Sequence, residues 1–213
     1  MEPLALGSEW GLGFLMAGIL LGIIEGFLPG PLMMVVVKES LQHGWKGGVK
    51  VSSSVLITDG PIILLCALLY SSMAMSNSLH IFLLLAGACV LLMMGIKTIR
   101  KQNFDISQLS DLPDHSLRNG VLTNMLNPNP YRFWTLVGAP FLIGAWTVHP
   151  VHPFLFLFGF FVCFLTCKTL ISIGVGRSRD LMDSRGYRVA MSTCGVILFC
   201  FVIWFVWQAS LLM

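Results

Sequence analysis

Residues 12–37 read LGFLMAGILLGIIEGFLPGPLMMVVV. A bilayer core of roughly 30 Å takes about 20 apolar residues in helix, and this run exceeds that with one charge, Glu25. It is also interrupted by Pro29-Gly30-Pro31. A proline has no N–H, and its ring clashes with the carbonyl four residues back, so two prolines at i and i+2 break a helix outright. The backbone groups they free find no partner in lipid, so the break must face protein or a wet cavity.

The same device recurs downstream. Five further apolar runs follow, over residues 49–70, 79–96, 117–146, 153–175 and 189–212, and the fourth run of the chain contains Asn127-Pro128-Asn129-Pro130. Breaks in the first and fourth runs occupy matching places in two halves of three spans each. With an odd number of spans per half, the second half enters from the opposite face, the pattern of an inverted-repeat transporter whose site lies at the discontinuous helices. The expected fold is an all-α integral membrane protein of six transmembrane helices, arranged as two inverted three-helix repeats with helices one and four broken. It forms a single transmembrane domain over residues 1–213, with repeats at about 11–97 and 118–212.

Composition agrees. Of the 213 residues, 56% are apolar and 11% charged, and mean hydropathy is +0.83. Soluble domains carry about 25% charged residues. A soluble enzyme is therefore excluded, and no nucleophile–base constellation or phosphate loop is present, so no enzymatic activity and no cofactor are expected. The formal charge of +3 is too small to suggest a nucleic-acid partner. The six cysteines lie in apolar runs with no CxxC. They read as small buried hydrophobes, including Cys163 and Cys167 one turn apart, and no metal site is expected.

The placement of charge sets the topology. Eleven of the thirteen Lys and Arg fall in three alternate loops: Lys38, Lys46 and Lys50; Lys97, Arg100, Lys101 and Arg118; Arg177, Arg179, Arg185 and Arg188. The positive-inside rule puts these loops in the cytoplasm and both termini outside, in a bacterial inner membrane. Trp10, Trp146, Trp204 and Trp207 fall near the outer ends of spans, where indole favours the interface. Residues 1–10 hold Glu2 and Glu9 but no basic residue, so the first run is expected to remain as a mature span rather than a cleaved signal.

Four ionisable residues fall within spans: Glu25, Asp59, Arg132 and Lys168. Each costs roughly 2.5–3.5 kcal/mol at a helix centre, and two acids with two bases sum to zero, which suggests pairing in the interior. Asp59 lies roughly 16 Å into the second run, near the midplane, beside Gly60-Pro61, where a distorted helix is expected. Lys168 sits in the corresponding fifth run, so an Asp59–Lys168 pair is the expected cross-repeat contact. Glu25 and Arg132 flank the breaks; Arg132 either touches substrate or neutralises an acid. The candidate substrate and proton pathway is thus Glu25, Pro29, Gly30, Pro31, Asp59, Asn127, Pro128, Asn129, Arg132 and Lys168. A zwitterion suits these parts: positive half-helix N-termini hold a carboxylate, and an acid such as Glu25 or Asp59 holds an ammonium and couples its release to protonation. Gly18, Gly22, Gly26 and Gly30 form a stripe that suits either packing against a neighbouring helix or a homodimer interface.

GFLPGPLM from Gly26, SLQHGWKGG from Ser40 with His43, Gly44 and Gly48, and LITD ending at Asp59, with NMLNP from Asn124 as a further similarity, resemble the LysE family of amino-acid exporters. The resemblance covers the chain in size and span order and is most specific in its first sixty residues. It implies export of amino acids or derivatives driven by the proton-motive force. Glu25, Pro61, Arg132 and Lys168 depart from the family pattern and point to an atypical subgroup. Among the competing readings, a divalent-metal exporter of the same superfamily needs further ligands near Asp59 and Glu25, such as His43 or Cys167. A thiol-redox carrier needs cysteines beside the breaks, and spans one and four have none. A non-transporting assembly protein needs neither the charges nor the breaks.

Overall fold

The computed structural model describes residues 11–73, 77–99, 116–177 and 185–211, and all of its regular structure is helical. The first span is two helices, α1 (Leu12–Phe27) and α2 (Pro31–His43), bent by 62° at the Pro-Gly-Pro. Gly44, in the left-handed region at φ 70°, ends α2. Then come α3 (Trp45–Met73) and α4 (Asn77–Ile99). The second broken element is α5 (Ser116–Leu126), α6 (Pro128–Phe133), a π-helical turn (Trp134–Gly138) and α7 (Ala139–Val148). Two long helices, α8 (His152–Arg177) and α9 (Arg185–Leu211), complete the chain. By length and composition α3 and α8 can each cross a membrane, and the bent pair α1–α2 qualifies as a third span.

The proline chemistry sets the local breaks. Pro31 begins α2 and Pro128 begins α6, positions where a missing N–H costs nothing. Pro140 acts differently. Its ring would clash with the Leu136 carbonyl in an ideal helix, and the preceding turn widens so that the Ala139 N–H donates to the Trp134 carbonyl, five residues back. The freed Leu136 carbonyl lies against Gly87 of α4, where no side chain stands in the way. Pro61, by contrast, does not interrupt α3, which runs unbroken past the Gly60-Pro61 expected to distort it. Pro61 faces outward.

Packing is glycine-mediated at two crossings. Gly18 and Gly22 of α1 face the backbone carbonyls of Phe156 and Phe160, so a Cβ at either would collide with α8 main chain. Gly26 meets the Cβ of Cys167. The stripe is used within the subunit, and Gly30 points away from it at the break. On the other side Gly120 of α5 meets Ser54 and the Val51 carbonyl of α3. Thus α1 lies along α8, α5 along α3, α4 along α9, and α3 crosses α8.

Polarity is distributed inside-out. Ile57, Leu64, Leu68, Phe154, Phe158 and Ile203 are exposed, whereas Asp59, Asn119, Asn124, Lys168, Ser52, Ser54 and Ser172 are buried. Water as solvent would penalise this arrangement and lipid favours it. Trp146 and Trp207 are exposed as an interfacial position requires, but Trp204 turns inward and stacks on Phe141 at 4.9 Å. Trp10 and the loop positions Arg100, Lys101 and Arg179 lie outside the described residues.

The α1–α8 contact leaves no room for side chains. Gly22→Leu is expected to destabilise the protein by about 2–3 kcal/mol, while Gly60→Ala, whose Cβ meets nothing within 4 Å, stays within about 1 kcal/mol of the parent. Denaturant unfolding in detergent micelles separates the two.

Candidate functional site

The two breaks meet around one cavity of about 60 Å³, room for a few water molecules. Gly30, Leu32 and Met33 come from the first break and Asn127, Asn129 and Pro130 from the second. Glu25, Asp59 and Lys168 bring charge to its wall, and Trp134, Phe160 and Phe164 line it with aromatic surface. A second cavity of about 110 Å³ adjoins it, lined by Pro29, Val90, Met93 and Arg132. Glu25, Leu28, Asn129 and Phe133 are walls of both.

Asp59 is the best-held group. Its Oδ1 accepts from Asn124 Nδ2 at 2.7 Å and its Oδ2 from the Trp134 indole N–H at 2.9 Å. Asn124 also donates to Thr58 Oγ1 at 2.6 Å. A buried carboxylate is thereby satisfied by two donors from the broken element, one on each side of the Asn127 break. Asn127 itself caps α6: its side chain accepts from the Asn129 N–H at 3.1 Å, satisfying one of the donors left free at a helix start.

The expected Asp59–Lys168 pair is not formed. Asp59 spends its oxygens on Asn124 and Trp134, and Lys168 makes no ion pair with it. The Lys168 ammonium instead lies 3.8 Å from Met33 Sδ and 5.4 Å from the centre of the Phe164 ring. The physical reason is geometric. α8 packs on α3 as α5 and the π turn do, but the Asn124 and Trp134 donors are the ones whose positions reach the two Asp59 oxygens. Glu25 and Lys168 line the same cavity, and no ion pair joins them.

The other candidates divide between the cavities. Gly30 and Asn127 line the first, Pro29 and Arg132 the second, and Asn129 both. Pro31 and Pro128 are exposed first residues of their helices and line neither. Arg132 is also exposed. Of the proposed metal ligands, His43 Nδ1 bonds Glu39 at 3.0 Å, and Cys167 packs on Gly26. Among the described residues no group of three His, Cys, Asp or Glu converges.

A second polar centre lies where the charge pattern suggested a loop. Because α2 continues to His43, Glu39 is 1% exposed. Its carboxylate accepts from Asn119 Nδ2 at 2.9 Å, from the Ser116 hydroxyl, and pairs with His43. It fastens α2 to the start of α5. Trp134, Asn119 and Ser116 had no sequence signal of their own; Asn124 stood in the motif quoted above.

A helical chain with lipid-facing apolar surface and a charged cavity at paired helix breaks is a membrane transporter. The chain belongs to the LysE type translocator family, whose model matches residues 23–209, spanning both breaks and all three charged cavity residues. No curated protein and no solved structure matches it. The protein is accordingly a multi-pass membrane translocator of small solutes, in a family of transporters rather than enzymes.

Asn124→Leu removes one of two donors from a buried carboxylate. It is expected to cost about 1–3 kcal/mol of stability, and less when Asp59→Asn is already present, because the stranded acceptor is then neutral. A double-mutant cycle of unfolding free energies in micelles measures the difference.

Proposed function

We propose that this chain is a secondary exporter of an amino acid or a derivative, driven by proton antiport across a bacterial inner membrane. The observation behind this reading is the cavity in which both helix breaks converge on Glu25, Asp59 and Lys168. Two acids and a base on the wall of one small, largely apolar cavity suit a zwitterion, and Lys168 on that wall disfavours a bare divalent cation.

The helix packing supports the six-span inverted repeat. The principal contacts correspond when the halves are exchanged: α1 on α8 matches α5 on α3, while α3 on α8 and α4 on α9 match themselves; α1 on α9 has no such counterpart. The basic loops place the cytoplasm at the α2–α3 turn and both termini outside. The pathway then comprises Glu25, Pro29, Gly30, Asp59, Asn127, Asn129, Arg132 and Lys168, with Pro31 and Pro128 setting the half-helix starts. The glycine stripe no longer argues for a homodimer, since α8 occupies it.

Asp59 supplies a coupling step. An ionised carboxylate only accepts hydrogen bonds, and a protonated one gains an O–H donor. Proton binding to Asp59 turns one acceptor lone pair into an O–H donor and removes the charge that strengthens the Asn124 and Trp134 bonds, so the contact between α3 and the second broken element weakens. Protonation thereby alters the wall of the cavity that holds the cargo.

Proteoliposomes loaded with labelled amino acids and placed in acidic medium test this. Wild-type vesicles should release at least one amino acid faster with the inward proton gradient than without it. Asp59→Asn vesicles should fall to the leak of protein-free vesicles while the protein remains folded. Release indifferent to the gradient, or wild-type release by Asp59→Asn, would sink the proton-coupled reading.

A further inference from the structure

Like Glu25, Lys168 is a charged cavity residue without an ion-pair partner. It is 2% exposed, and an ammonium brings three donors. Its nearest contacts are a thioether, Met33 Sδ at 3.8 Å, and the face of Phe164. The first is a weak acceptor and the second an attraction without a hydrogen bond. Neither acid in the cavity pairs with it. A charge at this depth is costly unless an opposite charge meets it.

The N-terminus of α2 opens onto the same cavity. Its cap residue is Gly30, which has no side chain to satisfy the first amides, and Leu32 and Met33 line the cavity wall. Over its 13 residues α2 develops a dipole with its positive end here. The other break differs: Asn127 already caps α6, which is only six residues long. The positive groups of the cavity are thus Lys168 and the start of α2, and its uncommitted acid is Glu25.

We propose that Lys168 and the open N-terminus of α2 form a carboxylate-binding subsite that fixes the cargo's orientation, anion toward α2 and ammonium toward Glu25. The remainder of the molecule extends past Glu25 and Phe133 into the adjoining cavity, which shares those walls. This deepens the amino-acid reading and relies on it for the class of cargo, but not for the binding step.

The test is calorimetric titration of the full-length protein in detergent with the twenty free amino acids and the carboxamide of each. Those amino acids that bind should do so about tenfold or more tightly than their carboxamides, the difference a charge-assisted contact makes. Lys168→Met should weaken the free acids to the level of the amides and leave the amides unchanged. Lys168→Arg should keep the preference for the acid. Equal binding of acid and amide to the wild type overturns the subsite, and so does a preference that survives Lys168→Met, or no binding by any free amino acid. If vesicle efflux is absent while the Lys168-dependent preference holds, the transport reading fails and the subsite stands.

Discussion

The structure turns on backbone amides and carbonyls that proline has released where lipid cannot satisfy them. In water such groups would be hydrated at little cost; at membrane depth each costs several kcal/mol unless protein or enclosed water meets it. Three solutions coexist in this chain. Asn127 caps α6 with its own side chain. Pro140 is accommodated by a π turn whose freed carbonyl rests on Gly87. The start of α2 is left open to the cavity. Only the last leaves unspent donors, and it does so beside a buried lysine.

The three charged residues on the cavity wall are unequal for the same reason. Asp59 is held by donors from both sides of the second break, so its position reports how that break is set. Lys168 and Glu25 line the same cavity without an ion pair and keep their capacity for a third party. Glu39, outside the cavity, is bonded to His43 of α2 itself and to Ser116 and Asn119 of α5. The described acids thus range from committed (Glu39), through held by neutral donors (Asp59), to available (Glu25).

Much of this was legible in the sequence because the deciding chemistry is local. The paired prolines Pro29 and Pro31, and Pro128 and Pro130, mark the two helix breaks, and the apolar runs match the helices closely. What failed required knowing which distant side chains meet. Lys38 and Lys46 made Glu39 look like part of a wet loop, yet α2 runs on to His43 and α5 supplies Ser116 and Asn119 from 77 and 80 residues away. Asp59 and Lys168 occupy matching positions with opposite charge, and symmetry alone pairs them. The indole of Trp134 outcompeted the lysine from 75 residues away. The π turn had one sequence signal, Pro140 four residues beyond Leu136.

The glycine contacts decide which joints can give. Gly18 and Gly22 bring α1 onto the α8 main chain, and Gly120 brings α5 onto α3, with no side chains between to reshuffle. Each pair moves only as a unit. The segments beyond the breaks, α2 and α6, are joined to their pairs covalently through residues 28–30 and through Asn127. Elsewhere α2 is tied to α5 by the Glu39 carboxylate and packs on α3 and α8, with Gly47 against the Glu39 carbonyl and Met33 and Val37 against Ile171 and Val175. A buried polar bond opens at small net cost only where water or another polar group replaces it, whereas a backbone-to-backbone seam must be repacked. Asp59 meets that condition, because it lines the cavity and its two bonds span the second break. A change in the cavity's shape is therefore cheapest at Asp59 and most expensive along the glycine seams.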